Sequence, residues 1–240
     1  GIKPLYLTRT HKGLAFASEL KALRLFPGFG TTLDHDVLAG YLASNCVPGV
    51  RSIFKGTTHV APGTIVSFDS ATAAPRVVKY WDPARVVQRS LSEPFLGSDQ
   101  EAVDQLDALL RDSVRLRMVA DVPLGVFLSG GIDSSTIAAL MQAQSDLPVR
   151  TFSIANEQAA WDESAAARAV ARHLNTHHTP FTVTARDALD VIPLLPTMYD
   201  EPFADSSQIP TFLVSRLARR EVTVALSGDG GDELFGGYTR

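Results

Sequence analysis

The sequence contains a single cysteine, Cys46, among its 240 residues. One cysteine excludes an internal disulfide and any zinc cluster built on several thiolates. The chain also lacks an apolar run of transmembrane length, and its first residues lack the apolar core of a signal peptide. These absences favour a cytoplasmic setting without membrane contact.

Charge of one sign is not concentrated anywhere in the chain. The net charge is −4 and no long basic run is present. The sequence therefore lacks the basic segment that would indicate binding to nucleic acid or to an anionic membrane surface. With 45% hydrophobic and 20% charged residues, the composition is that of a globular chain long enough for two domains. Chemistry on small molecules is the class of function that this composition favours.

The composition and the predicted secondary structure change along the chain. Residues 1–83 contain short β-rich runs separated by glycine and proline, with one short helix predicted at 36–43 and capped by Asp34 or Asp36. Residues 84–97 are predicted to be an irregular linker. From residue 98 onward, a capping box of Ser98 and Glu101 begins a long helix, and strands then alternate with helices. The strands are predicted at 126–128, 149–154, 179–183 and 222–226, and helices at 162–174 and 211–219. This alternation predicts an α/β fold with a doubly wound parallel sheet.

The first chemical motif follows the predicted strand 126–128 and reads Leu128-Ser129-Gly130-Gly131-Ile132-Asp133-Ser134-Ser135. At a junction between strand and helix, glycines let the backbone approach an anion, and free N–H groups with the helix dipole favour negative charge. The motif is therefore predicted to bind pyrophosphate. It has neither the P-loop, the nucleophile-elbow nor the Rossmann spacing. The alternative is a glycine-rich structural turn, which does not require three hydroxyls and an acid.

The acid in this motif indicates a cation. Asp133 would repel phosphate unless a divalent ion lay between them, and the oxygen ligands favour Mg²⁺. A second buried strand ends in a similar way, in the motif Leu226-Ser227-Gly228-Asp229-Gly230-Gly231-Asp232-Glu233. In a doubly wound sheet, both loops leave the carboxyl ends of strands and can face one crevice. Asp133 and Asp232 are then predicted to share the metal. A solvated acidic surface loop is the alternative for the second motif.

Together, the two motifs resemble those of class B, glutamine-hydrolysing asparagine synthetase. The resemblance extends through Phe16-Ala-Ser-Glu-Leu-Lys-Ala-Leu23, Ser52-Ile-Phe-Lys-Gly56, Ala120-Asp-Val-Pro-Leu-Gly125 and Asp200-Glu-Pro-Phe-Ala-Asp-Ser-Ser207. It implies that residues 1–83 are the β-rich end of an N-terminal-nucleophile glutaminase domain. It also implies that residues 98–240 begin a synthetase domain of the PP-loop ATP pyrophosphatase type, with an adenine nucleotide alpha hydrolase-like fold.

The resemblance further implies a reaction and roles for individual residues. ATP and Mg²⁺ would activate the side-chain carboxylate of aspartate as an adenylate, and ammonia derived from glutamine would then displace AMP. The pyrophosphate part of ATP would lie on Ser129, Gly130, Gly131, Asp133, Ser134 and Ser135. Adenosine or AMP would contact Leu128, Ile154, Ser227 and Gly228, and Mg²⁺ would bind Asp133 and Asp232. Asp229 matches the family's acid that accepts a proton from the attacking ammonia, which makes it the catalytic candidate.

Two departures from the family pattern, one for each predicted domain, bear on the activity of this chain. The family's mature chains begin with a catalytic cysteine, whereas Gly1 stands first here and Cys46 is predicted to be a free, partly buried thiol at a helix end. The family also supplies a catalytic lysine later in its synthetase domain, and that lysine would lie beyond Arg240. We therefore expect a fragment of a longer protein that does not make asparagine by itself. A homodimer is suggested by the resemblance alone.

Alternatives to this function remain open on the sequence. The amidated carboxylate could belong to a cell-surface or natural-product pathway, or the chain could be a non-catalytic nucleotide-binding module. The polar segment 200–208 is expected to lie near the crevice and to line the acceptor site. The neighbouring His177 and His178 are predicted to face opposite sides of a strand, so that they cannot easily chelate one metal.

Overall fold

The computed structural model of the chain describes residues 3–156 and 164–237. These residues form two compact units. The first comprises residues up to 96 together with Leu194–Ser206, and the second comprises Gly97–Pro193 together with residues from Ser207 onward. The elements, in chain order, are β1 (Tyr6–Thr10), β2 (Gly13–Ala17), α1 (Leu20–Leu23), α2 (His35–Ser44), β3 (Thr57–His59), β4 (Thr64–Ser67), β5 (Arg76–Lys79), α3 (Pro83–Ser92), α4 (Asp99–Arg117), β6 (Leu124–Phe127), α5 (Ile132–Gln142), β7 (Arg150–Asn156), α6 (Ser164–Leu174), β8 (His177–Val183), α7 (Ala185–Val191), a 3₁₀ turn (Ile192–Leu194), α8 (Leu195–Met198), α9 (Gln208–Ala218), β9 (Val224–Leu226) and α10 (Gly231–Phe235).

The first unit is rich in β-structure, as predicted. Strands β2, β1 and β3 form an antiparallel sheet in that order, and β4 pairs with β5. Tyr6, Leu20 and Leu23 make up its buried apolar cluster. The predicted helix is α2, and Asp34 caps it by accepting hydrogen bonds from the amides of Asp36 and Val37. The cap fixes the start of this helix because it satisfies amides that have no partner within the helix.

The segment predicted to be irregular, residues 84–97, is largely helical. Helix α3 occupies Pro83–Ser92, and the Asp82 side chain caps it by accepting from the Ala84 amide. Pro83 stands at the first helical position, where its missing N–H costs nothing. None of the residues of α3 is buried. The helix is therefore specified by local signals at its start rather than by packing against a core.

The second unit contains a four-stranded parallel sheet in the order β8-β7-β6-β9. The chain builds outward from β6 through β7 to β8 and then crosses to the other side of β6 to add β9. This confirms the predicted doubly wound fold, and the reversal of strand order lies between β6 and β9. The observed strand bounds differ from the predicted ones by one to a few residues at their ends, and residues 162 and 163 of the predicted helix 162–174 lie outside the described residues.

Helices cover both faces of this sheet. On one face, Ala138 of α5 and Ala167 and Ala171 of α6 pack into a buried cluster with Val126 and Leu226. On the other face, α9 contributes Val214 and Ala218 to a cluster around Phe152. Successive side chains of a strand point to opposite faces, so in β6 Val126 belongs to the first cluster and Phe127 packs against the second. The core is therefore in two layers, with the strand ends left open at the edge.

Helix α4 precedes this sheet and begins as the sequence predicts. The Ser98 hydroxyl accepts from the Glu101 amide, and the Glu101 carboxylate accepts from the Ser98 amide. This reciprocal capping box satisfies two amides at the helix start.

None of the helices in the described part of the chain has both the length and the apolar composition of a membrane span.

A polar network lies between β7 and β8 on the face that α6 covers. His178 Nδ1 is 2.8 Å from Thr151 Oγ1, and His178 Nε2 is 3.2 Å from Ser153 Oγ. Thr151 is fully buried and its hydroxyl also contacts that of Thr176, 3.1 Å away. Burial and, secondarily, the charge of Arg168 lower the pKa of His178. Both ring nitrogens of His178 therefore have hydroxyl partners, and its surroundings disfavour the charged form of the ring.

We predict that His178 makes the protein less stable at mildly acidic pH. Because its pKa is lower in the folded than in the unfolded chain, the unfolded chain binds the proton first, and stability falls as pH drops below the unfolded value near 6.5. His178→Gln keeps hydrogen-bonding groups but removes this titration. Urea midpoints measured at pH 7.5 and 5.5 should therefore differ less in the variant than in the parent.

The matched control for this prediction is His177→Gln, because His177 is exposed on the same strand. This control should retain the full loss of stability between the two pH values. An equal loss in His178→Gln and in the parent would show that the prediction is wrong.

Candidate functional site

The two chemical motifs leave neighbouring strands at the same edge of the parallel sheet. Val126 of β6 pairs with Leu226 of β9, and the motif loops begin directly after these strands. A cleft of about 410 Å³ opens between them. It is lined by Phe127, Leu128, Ser129, Asp133, Ser134, Phe152, Ser153, Ile154, Pro210, Thr211, Val214, Ser227, Gly228, Asp229, Gly230, Asp232 and Glu233. The cleft thus occupies the switch point of the sheet, where ligands bind in folds of this kind.

Two serines hold the first loop in shape. Ser129 Oγ and Ser134 Oγ are 2.8 Å apart, and the Ser129 amide donates to Ser134 Oγ at 3.2 Å. The Gly131 amide in turn donates to Ser129 Oγ at 3.2 Å. Gly131 is the N-cap of α5 and has no side chain with which to cap it. The positive end of an eleven-residue helix, α5, therefore begins in this loop without a capping side chain.

Glycine is required at position 130 for two reasons. Its φ of +86° is in the left-handed region, which side chains disfavour. A Cβ there would also lie 2.7 Å from the Ala166 Cβ and from the Ala167 amide nitrogen. The loop consequently packs directly against α6, and this contact fixes its height above the sheet.

The second loop packs against the first turn of α5. A Cβ at Gly228 would lie 2.7 Å from the Ser134 amide nitrogen and 2.9 Å from the Asp133 carbonyl carbon. A Cβ at Gly231 would overlap the Asp133 carboxylate. The two motifs are therefore in backbone contact, and the expectation that they face one crevice is met.

Three acids of these loops differ in their surroundings. Within the described residues, the half-buried side chains of Asp133 and Asp232 have no hydrogen bond or ion pair with another group. Asp229 is exposed and accepts a hydrogen bond from Ser227 Oγ at 2.9 Å. The carboxylates of Asp133 and Asp232 thus keep their lone pairs free for a cation.

The donor set fits Mg²⁺ rather than zinc. Oxygen ligands from carboxylates and hydroxyls line the cleft, and Mg²⁺ is commonly held by one or two carboxylates together with substrate phosphates. In the part of the chain that the structure describes, no group of three or more His, Cys, Asp or Glu residues forms a metal site by itself. The Asp133 carboxylate lies against Gly231, and that of Asp232 lies against Gly237. These glycine backbones leave room for the carboxylates.

The structure brings most of the predicted site residues to the cleft. Leu128, Ser129, Asp133, Ser134, Ile154, Ser227, Gly228, Asp229 and Asp232 all line it. Gly130, Gly131 and Ser135 are not among the lining residues. Ser135 Oγ is nevertheless buried without a hydrogen-bond partner in the described chain. A buried hydroxyl of this kind has an unused donor, which an added group can satisfy.

Sequence reasoning missed a second set of lining residues: Phe127, Phe152, Ser153, Pro210, Thr211, Val214, Gly230 and Glu233. Phe127, Gly230 and Glu233 adjoin the two motifs, so their position next to the chosen residues was an available signal. Pro210, Thr211 and Val214 belong to α9, which no motif marks. They reach the cleft because α9 packs over β7.

Three other expectations can be compared with the structure. None of residues 200–206 lines the cleft, and this part of the segment 200–208 belongs to the first unit instead. Asp200 and Glu201 bind amides and hydroxyls there, and the expectation that the segment lines the acceptor site stays a prediction. Cys46 is exposed rather than partly buried, because it follows the end of α2. His177 is exposed and His178 is half-buried, which agrees with the prediction of opposite faces.

Comparison with known protein families shows to which family the chain belongs. The asparagine synthase family profile matches residues 105–240, and that of a glutamine amidotransferase domain matches residues 1–81. The fold and the cleft define the class of protein, which is a doubly wound α/β unit with two glycine-rich loops that face each other. The chain belongs to the asparagine synthase family.

Individual relatives are similar along the whole chain. A putative glutamine-hydrolysing asparagine synthetase of Mycobacterium tuberculosis is 37% identical over 243 residues, which cover 100% of this chain and 36% of the relative. A second putative enzyme, from Methanocaldococcus jannaschii, is 36% identical and covers 99% and 45%. Asparagine synthetase 1 of Bacillus subtilis is 32% identical and covers 99% and 36%. The chain therefore spans less than half the length of these relatives. Among solved structures, an NH3-dependent NAD synthetase from Campylobacter jejuni matches at a TM-score of 0.38 and 14% identity, over 59% of this chain and 61% of that chain.

We predict that Gly228→Ala weakens anion binding in the cleft. The added methyl group would overlap backbone atoms of Asp133 and Ser134, which cannot rotate away. Overpacking of this kind costs about 1–3 kcal/mol, so the two loops should separate. Titration calorimetry with pyrophosphate and Mg²⁺ should show weaker binding, by about fivefold or more, in the variant.

Gly30→Ala is the control for this experiment. A Cβ at Gly30 meets no atom within 4 Å, and its φ is outside the left-handed region. The affinity of the Gly30→Ala variant for pyrophosphate should equal that of the parent. Unchanged affinity in Gly228→Ala would contradict a binding role for the contact between the loops.

Proposed function

We propose that the chain is part of a glutamine-hydrolysing asparagine synthetase and that its cleft binds the ATP from which aspartate is adenylated. The observation that carries the proposal is the backbone contact of Gly228 with Asp133 and Ser134. It unites an uncapped helix start and unpaired carboxylates in one cleft. A nucleotide triphosphate with a divalent cation matches both, because the anion suits the helix and the cation suits the acids.

The phosphates are proposed to lie at the start of α5. First-turn amides and the hydroxyls of Ser129, Ser134 and Ser135 would donate to their oxygens. The dipole of α5 adds favourable interaction with negative charge there. Ser135 Oγ is buried and has no hydrogen-bond partner among the described residues, so its donor is unused until a ligand reaches it. The loop glycines Gly130 and Gly131 keep the approach free of side chains.

The adenosine part is proposed to lie deeper, on the apolar side of the cleft. Leu128 is almost fully buried, and Ile154 and Phe152 belong to strand β7 beside it. These side chains would contact the base, while Ser227 and Gly228 would contact the sugar or the α-phosphate. A pocket with an apolar floor and a few polar groups fixes both the affinity and the orientation of such a ligand.

Asp133 and Asp232 are the residues proposed to hold Mg²⁺. Bound there, Mg²⁺ would neutralise phosphate charge that otherwise keeps the aspartate carboxylate from approaching. The amides of α5 contribute to the same neutralisation without reorganising during the reaction.

Asp229 is the proposed general base of amide formation. The aspartate carboxylate attacks the α-phosphorus of ATP and expels pyrophosphate. Ammonia then attacks the acyl carbon, the bond to AMP breaks, and the proton of the attacking nitrogen passes to Asp229. The hydrogen bond from Ser227 Oγ at 2.9 Å orients this carboxylate. Its exposure leaves it accessible to a substrate.

The match of residues 1–81 to a glutamine amidotransferase domain supports the proposal that glutamine is a substrate. We infer that glutamine supplies the ammonia, that the protein acts in the cytoplasm as a homodimer, and that nucleic acid and membranes take no part. The matched relatives are more than twice as long as this chain. The complete activity is therefore assigned to the full-length protein rather than to these 240 residues.

We predict that Asp133→Asn in the full-length protein abolishes most aspartate-dependent release of pyrophosphate from ATP. Loss of even an outer partner of a metal ligand costs about 10–100-fold, so loss of a direct ligand should cost at least tenfold. The assay supplies ammonium, Mg²⁺ and ATP, and follows pyrophosphate and asparagine together.

Asp146→Asn provides a matched control, because Asp146 is an exposed acid beyond the end of α5. It should release pyrophosphate at the parental rate. ATP binding without pyrophosphate release by the parent would favour a non-catalytic module. Release that depends on another carboxylate, and not on aspartate, would change the substrate.

We predict a different result for Asp229→Asn. Its amide cannot accept the proton, so asparagine formation should fall by about 10²–10⁴-fold, the range attributed to general base catalysis. Binding of ATP with Mg²⁺ should remain within about twofold of the parent. Parallel loss of binding and synthesis would instead assign Asp229 to ligand binding.

A further inference from the structure

A row of four polar side chains in the second unit connects the core of its sheet to the cleft. Thr176 Oγ1 lies 3.1 Å from Thr151 Oγ1, which lies 2.8 Å from His178 Nδ1. His178 Nε2 is in turn 3.2 Å from Ser153 Oγ. Thr151 is fully buried, whereas Ser153, at the other end of the row, lines the cleft. The row therefore ends at the site proposed for ATP.

The register of the sheet explains why Ser153 reaches the cleft. Strand β6 pairs with β7 as far as Phe127 and Phe152, and the Leu128 amide donates to the Phe152 carbonyl at 2.8 Å. Beyond that point the chain after β6 enters the first motif, while β7 continues to Asn156. In the described sheet, Ser153 is therefore the first residue of β7 beyond the last pair with β6.

The hydrogen-bonding groups of this row favour one direction of donation. Each hydroxyl has one proton to donate, and a neutral imidazole has one N–H and one acceptor nitrogen. The row ends in the core at the Ala171 carbonyl, which can only accept, and Thr176 Oγ1 donates to it at 3.4 Å. Because its proton is used there, Thr176 can only accept from Thr151. Thr151 then accepts from His178 Nδ1–H, which leaves Nε2 as the acceptor for the Ser153 hydroxyl.

The opposite direction of donation uses the donors less completely. Thr176 would donate to Thr151, Thr151 would donate to the imidazole, and Nε2–H would donate to Ser153. The proton of Ser153 would then have no acceptor within the row. A charged ring would donate from both nitrogens, but burial and the charge of Arg168 lower the pKa of His178. The first direction therefore satisfies more groups, and it leaves Ser153 Oγ with a lone pair but without a free proton.

We propose that His178 is a positioning residue that fixes the Ser153 hydroxyl as a hydrogen-bond acceptor for a donor on the nucleoside part of the nucleotide. This role rests on the proposed function, because it takes the cleft as the ATP site. The donors that ATP offers are the amino group of adenine and the hydroxyls of ribose. Phosphate oxygens only accept, so they gain nothing from a hydroxyl whose proton is held by His178.

The neighbours of Ser153 agree with recognition of a nucleoside. Phe152 and Ile154, which precede and follow it in β7, also line the cleft with apolar side chains. A single polar group among apolar ones orients a ligand that the apolar groups bind. Turning the Ser153 proton toward a ligand would leave the buried acceptor nitrogen of His178 unsatisfied, and that loss is costly. The hydroxyl therefore discriminates between ligand donors and ligand acceptors.

Binding measurements on the full-length protein test the proposal. Calorimetry at pH 7.5, with Mg²⁺ and without aspartate, compares ATP with inosine triphosphate, 2′-deoxy-ATP and 3′-deoxy-ATP. Inosine triphosphate has a carbonyl in place of the amino group, and each deoxynucleotide lacks one ribose hydroxyl. For one of the three, the preference for ATP should be smaller in Ser153→Ala than in the parent by about threefold or more, the effect of one hydrogen bond. The affinity for pyrophosphate with Mg²⁺ should equal that of the parent.

Three further variants test the part played by His178. His178→Phe keeps an aromatic ring but removes both nitrogens, so the Ser153 hydroxyl can turn either way and the same preference should fall. Thr176→Val removes the donor to the Ala171 carbonyl, far from the ligand, and should lower the same preference by a smaller factor. It decides the matter if His178→Phe does not fold. His177→Phe is the matched control, because His177 is exposed on the same strand, and it should keep all three preferences.

The outcomes separate this role from the proposed function. If the parent binds pyrophosphate but not ATP, the proposed function fails and the role of Ser153 fails with it. If the parent binds ATP and all three preferences are unchanged in Ser153→Ala, only the role of Ser153 is overturned. Weaker binding of pyrophosphate by Ser153→Ala would assign the hydroxyl to the phosphates and would also overturn it. A larger preference for ATP over inosine triphosphate in Ser153→Ala would show that the hydroxyl donates, contrary to the proposal.

Discussion

The cleft depends on one close approach, between the loop that follows β9 and the first turn of α5. Pairing of Val126 with Leu226 starts the two loops side by side, and the absent side chain of Gly228 lets their backbones meet. Without that contact, the amides of α5 and the acids after β9 would belong to separate surfaces. With it, the first turn of α5 and the acids after β9 line the same cleft. Each of these features alone is common in turns, and the combination in one cleft gives the site its chemistry.

The parts of the fold that local sequence encodes were predictable. Parallel strands buried on both faces appear as continuous apolar runs, and Ser98 and Glu101 form their capping box within three residues. Helix α3 shows the opposite case, because Asp82 and Pro83 are good start signals and none of its residues is buried. A prediction that relies on apolar periodicity overlooks such a helix. The ends of the strands were imprecise because they depend on which residues pair across the sheet.

The site was predictable only where its chemistry is concentrated in a motif. Both loops can be recognised in the sequence by glycines, hydroxyls and acids next to an apolar strand. The wall formed by Pro210, Thr211 and Val214 has no such pattern. Its position follows from packing of α9 around Phe152, which is far away in the sequence. These residues have ordinary side chains, and no local pattern distinguishes a helix that covers a cleft from one that covers only a core.

The acids of the chain show most clearly what sequence leaves open. Glu201 and Asp232 both stand in polar, turn-like segments, and on the sequence both are candidates for a site. The difference lies in their lone pairs. Those of Glu201 are taken by Ser52, Ile53 and His59, so the carboxylate has little capacity for a ligand and instead binds a segment of its own chain. Asp232 has no such donors among the described residues, and its charge can be balanced only by solvent or by a bound cation. Whether an acid serves structure or chemistry is therefore decided by donors from distant parts of the chain, which only the folded protein brings together.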